Sequence, residues 1–226
     1  MLVEADLSEL IRLTARDGHV LDAYAASPAE TPAGGVVIVQ EIFGLTAHIR
    51  RVVDQYAAEG FFAVAPAMFD RIERDLTLEY VEIQRGLALM RQLEWPAALA
   101  DVAAAADRAR AAGAVGVLGF CWGGTVAHVA AAELPIAAAV SYYGGGIARM
   151  LDKVPRCPIL YHFGDQDHSI PPAAVEAIRQ AVPDADIHVY PGAGHGFDCS
   201  ERASFSPADA SLAFNRSLHF LRTHLA

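Results

Sequence analysis

The stretch Gly119-Phe120-Cys121-Trp122-Gly123-Gly124 sets a cysteine between glycines two residues away on either side. It follows the apolar run 115–118 and precedes an Ala-rich stretch of helical character, so the pattern reads as strand, tight turn, helix. A turn of that kind needs small flanking residues and lifts its central side chain above the carboxyl edge of a sheet, where a nucleophile belongs. At a helix N-terminus, the dipole and the unpaired N–H groups favour thiolate over thiol. A lone cysteine is otherwise most often a small core residue; the flanking glycines shift the reading of Cys121 to nucleophilic catalysis.

A thiol nucleophile needs a base, and the base needs an acid to orient it. Two downstream loops directly follow strand-like runs: Gly164-Asp165-Gln166-Asp167-His168, and Pro191-Gly192-Ala193-Gly194-His195-Gly196-Phe197. The order Cys121, Asp, His195 is that of nucleophile, acid and base in α/β-hydrolases, with room for one strand-helix unit between successive members. Either Asp165 or Asp167 would also suit a turn on backbone grounds alone. His195 lies between glycines at a strand's end, whereas His128, His219 and His224 fall on predicted helices. His168 also sits on a loop, but a residue adjacent to the acid cannot readily turn to meet it.

Gln40-Glu41-Ile42-Phe43-Gly44 follows the apolar run 36–39, where this arrangement supplies its second oxyanion donor. The backbone N–H groups of Ile42 and Trp122 are the expected pair. A carboxylate such as Glu41 at the mouth of an apolar strand is costly without a partner. It either pairs with a nearby arginine such as Arg50 or Arg51, or contacts the thiol itself.

The elements that must position these groups follow from periodicity. Short Val/Ile/Phe runs alternate with longer Ala-rich stretches, the pattern of a parallel sheet covered on both faces. Strands are expected at 36–39, 61–65, 115–120, 136–142, 159–164 and 187–190, with a hairpin or meander over 10–15 and 20–26 ahead of them. Thr46 can cap a helix whose apolar residues Ile49, Val52, Val53, Tyr56 and Ala57 share one face. Further helices are expected at 97–112, 123–133, 172–182 and 208–224. Residues 68–95 are long for a strand-to-helix connection and rich in charge; they read either as a solvated loop with one helix or as a partial lid. The whole chain, 1–226, reads as one domain.

Composition narrows the function classes. Of 226 residues 54% are hydrophobic and 19% charged, which excludes disorder, and the net charge of −10 offers no footprint for nucleic acid. The apolar stretches are too short for a membrane span. Glu4, Asp6 and Glu9 precede the first arginine, the reverse of a secretory leader. Cys121, Cys157 and Cys199 form no C-x-x-C pair and are odd in number, arguing against a disulfide framework and a thiolate zinc site. A cytoplasmic monomer is expected, with no metal or cofactor and a small molecule as its partner.

Together, Gln40 to Gly44, Gly119 to Gly124, Tyr142-Tyr143-Gly144, Asp167 and Gly194-His195-Gly196-Phe197 resemble the dienelactone hydrolase family of α/β-hydrolases, over nearly the whole chain. The resemblance implies an α/β-hydrolase fold with a mostly parallel, twisted sheet of about eight strands and helices on both faces. It implies cleavage of a small ester or lactone by a Cys121, Asp167, His195 triad through a thioacyl-enzyme. Glu41 would hold the resting thiol and take its proton when substrate arrives, and Phe43 and Tyr143 would line the acyl pocket. The best-known members bind a substrate carboxylate with two arginines, one of them four residues beyond the catalytic histidine. Here that position is Cys199; Arg202 lies three further on, and Arg85 approximates the other. Cys157 is read as structural.

Other classes fit less well. Flavodoxin-like amidotransferases and glyoxalases also place a cysteine on such an elbow, but often with a histidine beside it or a His-x-Glu, where this chain has Trp122 and Phe197. The glycines 192, 194 and 196 lack the spacing of a phosphate loop. A ligand-binding protein of the same fold would typically have lost a member of the triad, and here every member has a candidate.

Overall fold

The computed structural model describes residues 8–225; Glu4 and Asp6 lie outside them. Its centre is an eight-stranded sheet in the order β1-β2-β4-β3-β5-β6-β7-β8. β1 (Ser8–Thr14) and β2 (Val20–Ala26) form the expected hairpin, turning through Gly18, and β2 runs antiparallel to β4 (Phe62–Pro66). From there the sheet is parallel: β4, β3 (Gly35–Val39), β5 (Val115–Phe120), β6 (Ala138–Tyr142), β7 (Ile159–Gly164) and β8 (Asp186–Tyr190).

Successive side chains of a strand point to opposite faces, and β3 shows it: Val36 and Ile38 join one buried cluster, Val37 and Val39 the other. The first face is covered by α1 (Ala47–Ala58) and α6 (Pro207–Leu225), through Ile49, Val53, Tyr56, Leu218 and Leu221. The second is covered by α3 (Trp95–Ala109) and α4 (Trp122–Glu133), through Val102, Ala105, Val126 and Ala130. α5 (Pro172–Ala181) connects β7 to β8. The Thr46 hydroxyl accepts from the Ile49 N–H at 3.4 Å, capping α1 as its sequence position implies.

Residues 68–95 are not an open loop. Met68–Arg71 make a turn of 3₁₀ helix and Ile83–Gln92 form α2. The Arg71 guanidinium grips the wholly buried Asp101 carboxylate of α3 with two bonds of 2.7 Å, a fork that fixes this segment to the body. The Leu78 N–H donates to the Phe43 carbonyl at 2.8 Å and Gly44 bridges Thr77, so the connection is stitched to the loop after β3.

The chain leaves β3 toward β4 on one side, while β5 lies on the other side of β3. Open α/β sheets form a crevice at the carboxyl edge where strand order reverses in this way, and ligands bind there. The loops after β3 and β5, carrying Glu41, Ile42 and Cys121, open onto that crevice. Among the described residues no helix is long and apolar enough to cross a membrane.

Candidate active site

Cys121 stands between β5 and α4 with φ 54° and ψ −114°, a conformation that L-residues adopt only when the surroundings enforce it. The enforcement comes from its neighbours' lack of side chains. A Cβ on Gly119 would lie 2.0 Å from the Gly123 carbonyl oxygen, and one on Gly123 would lie 2.3 Å from that of Val39. Gly124 is equally hemmed in, with the Tyr142 carbonyl 2.6 Å from where its Cβ would be. The Cys121 N–H donates to the Tyr142 carbonyl at 2.9 Å, tying the turn to β6.

His195 follows β8, and its Nδ1 lies 2.7 Å from Asp167 Oδ2. The other carboxylate oxygen of Asp167 accepts the Ser169 N–H at 2.8 Å, so a wholly buried acid is held from both sides. Asp165 has the turn role: its Oδ1 accepts the Gly192 N–H at 2.7 Å. His168 is exposed. The His195 carbonyl accepts from the Ser204 hydroxyl at 2.7 Å, and Tyr143 packs edge-on against the imidazole at 5.1 Å. Burial alone would lower the imidazole's pKa, but Cys121 and Asp167 on either side raise it to about 10. Both neighbours thus favour the imidazolium form.

Among the described residues, the Ile42 and Trp122 N–H groups have no acceptor within the chain. Trp122 N–H is also in the first turn of α4, where no intrahelical acceptor exists. Trp122 itself stacks on Phe69 at 5.7 Å.

Glu41 is buried, and neither Arg50 nor Arg51 is its partner. Arg202 Nη1 donates to Glu41 Oε1 at 3.2 Å, while Arg50 binds the Leu45 carbonyl and Arg51 binds Glu201. Glu41 Oε2 is buried without a partner. Burial raises this carboxyl's pKa, against the pull of Arg202 and His195. The neighbourhood is crowded with costly groups. Burial lifts Asp198 to about 7, with Glu41 adding to it, and holds His48 down at about 4. The Cys199 thiol, also buried, is pushed up to about 12.

Cys121, His195, Ile42, Trp122, Phe43 and Arg202 all border one cavity of about 700 Å³. α2 supplies its opposite wall with Ile83, Leu87, Met90 and Arg91. That wall is seated on the oxyanion loop itself: a Cβ on Gly86 would lie 2.4 Å from the Ile42 carbonyl oxygen. Two expected substrate contacts are placed elsewhere. Tyr143 is wholly buried beneath the imidazole and is not part of the cavity lining. Arg85 points to the surface, paired with Glu73 at 3.1 Å and Glu82 at 3.4 Å, because its position on α2 faces away from the cavity. Two arginines that sequence reasoning passed over do line it, Arg91 on α2 and Arg149 after β6. Arg91 could have been found from the helical period that puts it on the side of Leu87; Arg149 carries no such signal. Cys157 is half-buried, and burial raises its thiol to about 11, in keeping with a structural role.

Comparison with known proteins agrees with this architecture. Residues 21–225 match the model of the dienelactone hydrolase family. Carboxymethylenebutenolidase of Pseudomonas putida is 37% identical, covering 95% of this chain and 96% of that protein. Carboxymethylenebutenolidase 1 of Cupriavidus pinatubonensis is 32% identical, covering 95% and 97%. A crystal structure from Klebsiella pneumoniae superposes with a TM-score of 0.83 at 31% identity, covering 94% of this chain and 96% of that one. With a family match spanning all but the first strand and relatives aligned end to end, the protein belongs to the dienelactone hydrolase family and is a hydrolase of the α/β-hydrolase fold.

Proposed function

We propose that the protein hydrolyses small, activated esters or lactones through a thioacyl-enzyme on Cys121. The observation that carries this reading is the 2.7 Å bond from His195 to a buried Asp167, with Cys121 on a strained elbow bordering the same cavity as His195. Its relatives' name, carboxymethylenebutenolidase, supports a lactone as the substrate type.

The Cys121 sulfur attacks the carbonyl carbon, and the developing oxyanion is received by the Ile42 and Trp122 N–H groups. The leaving alkoxide or enolate departs with a proton from the His195 imidazolium, whose orientation Asp167 fixes. The neutral imidazole then takes a proton from water as that water attacks the thioester, and Cys121 is released. A thiolate attacks well and also leaves well, so enol-lactones and activated esters react and amides do not. Glu41 serves as an acceptor of the resting thiol's proton, because its Oε2 is unpartnered and His195 lies within reach of its charge. A substrate carboxylate is received by Arg91 and Arg149, which have no ion-pair partner among the described residues, in contrast to Arg85 and Arg202.

The decisive experiment is rapid quenching of the enzyme with a slow activated ester, followed by intact-mass and peptide analysis. An acyl group on the Cys121 peptide, accumulating in His195→Ala and absent in Cys121→Ala, is the expected result. Full turnover by Cys121→Ala would refute the mechanism.

A further inference from the structure

Behind the loop after β3, Glu41 and His48, seven residues apart, meet Cys199 from far along the chain. A donor atom of each of Glu41, His48 and Cys199 lies within 4.8 Å of the others. All three are buried, at 1%, 4% and 0% exposure. Two of the donors, Glu41 Oε2 and His48 Nε2, have no hydrogen-bond partner. Folded chains rarely leave one such atom orphaned, and two in one buried cluster indicate a group that both would bind. Asp198 Oδ2 lies 3.7 Å from His48 Nε2 but outside the mutual spacing of the three.

We propose that Glu41, His48 and Cys199 bind a single divalent cation of the zinc type, with water in the fourth position and the Asp198 carboxylate beside His48. One imidazole nitrogen, one sulfur and one carboxylate oxygen make a borderline-soft set, wrong for calcium or magnesium, which take oxygen ligands. Zinc accepts all three donor kinds in a tetrahedron at bond lengths of about 2.0–2.3 Å. Those bonds bring ligand atoms to roughly 3.3–3.8 Å from one another, so the present spacing closes by about an ångström through side-chain rotation. Cys199 is held now by weak contacts of its sulfur with the Tyr80 hydroxyl at 3.2 Å and the Glu201 carboxylate at 3.3 Å. On binding, the Cys199 S–H proton passes to solvent as the sulfur–metal bond forms.

The site also has an entrance. A second cavity of about 310 Å³, between α1, α6 and the loop after His195, is bordered by His48 and Asp198, and shares no lining residue with the substrate cavity. A cation can reach the cluster from this side without crossing the catalytic crevice. Glu41 Oε1 faces Arg202, and its unpartnered Oε2 takes either the metal or the resting thiol's proton, one excluding the other.

The test uses the full chain, stripped with a chelator and then dialysed against zinc chloride or cobalt chloride. One equivalent of zinc is expected to remain bound, and cobalt is expected to give a near-ultraviolet thiolate-to-metal band. Cys199→Ser should abolish that band, and His48→Gln should weaken zinc by at least the ~10- to 100-fold that loss of an outer partner alone costs. Cys121→Ala should keep both signals. Melting of the metal-free variants checks that they fold, and His48→Asn stands in if His48→Gln does not. Failure to retain a stoichiometric cation overturns the proposal. So does a band lost in Cys121→Ala and kept in Cys199→Ser, which would put the metal on the nucleophile instead.

Discussion

Arg202 holds Glu41 by one oxygen only, Nη1 to Oε1 at 3.2 Å, across 161 positions of sequence. Replacing Arg202 by methionine leaves a buried carboxylate without its ion-pair partner, and its pKa then rises further. A folded-state value raised above the unfolded one means that the folded chain gains by binding a proton, so the penalty is full at high pH and fades as pH falls through that raised value. We expect Arg202→Met to lose about 1–3 kcal/mol at pH 8 and distinctly less at pH 5, read by urea unfolding at both. An equal loss at the two pH values would contradict the pairing.

His195 is raised by both its neighbours, so its titration should report them separately. By NMR of the imidazole, Cys121→Ala and Asp167→Asn should each titrate below the wild type. The sign for stability is the opposite of that for a carboxylate whose pKa folding lowers. The imidazolium's contribution is complete below the unfolded pKa of about 6.5 and disappears as pH climbs toward the folded value of about 10.

Asp167→Asn keeps an oxygen for the Ser169 N–H but can present an N–H to His195 Nδ1, selecting the wrong tautomer. A fall in kcat of about 10³–10⁴ is expected, with little change in the fold. A variant within tenfold of wild type would show that the 2.7 Å bond does not govern the base.

Gly119→Ala and Gly123→Ala should each cost about 3–5 kcal/mol and remove activity, since a Cβ at either position meets backbone oxygen rather than a movable side chain. Thermal unfolding of soluble protein, or its failure to accumulate, provides the reading.

On a lactone or ester bearing a free carboxylate, Arg149→Ala and Arg91→Ala should raise KM about tenfold, the scale of ~1.4 kcal/mol for one lost charged contact. The neutral methyl ester should be unaffected. Arg85→Ala should change neither substrate, because its guanidinium is already engaged at the surface by Glu73 and Glu82.

What the sequence discloses here is whatever depends on neighbours along the chain. The elbow around Cys121 announces itself because the three glycines and the preceding strand are contiguous, and Thr46 because a cap lies within one turn of the helix it caps. His195 is legible for the same reason, flanked by glycines at a strand's end. The partner of Glu41 is not, since nothing local to the 40–44 loop records that a long side chain from residue 202 will reach it. Tyr143 shows a related failure: aromatic and next to β6, it could face the crevice or lie under it, and only packing against His195 and Phe197 decides. Arg85 and Arg91 are on one helix six residues apart, and which of them meets the cavity depends on how α2 is rolled against Ile42. The Glu41, His48, Cys199 cluster has no sequence spacing at all that a C-x-x-C search would recognise.

The seat of α2 on Ile42, through the bare backbone of Gly86, divides the mutational freedom of this scaffold. The seam of that helix is shared with a catalytic donor, so drift there changes rate and fit together. The residues that reach outward from it into the cavity, Leu87, Met90 and Arg91, can vary without disturbing the chemistry. Selection for a new acyl group should accordingly accumulate changes at those three positions while position 86 stays fixed.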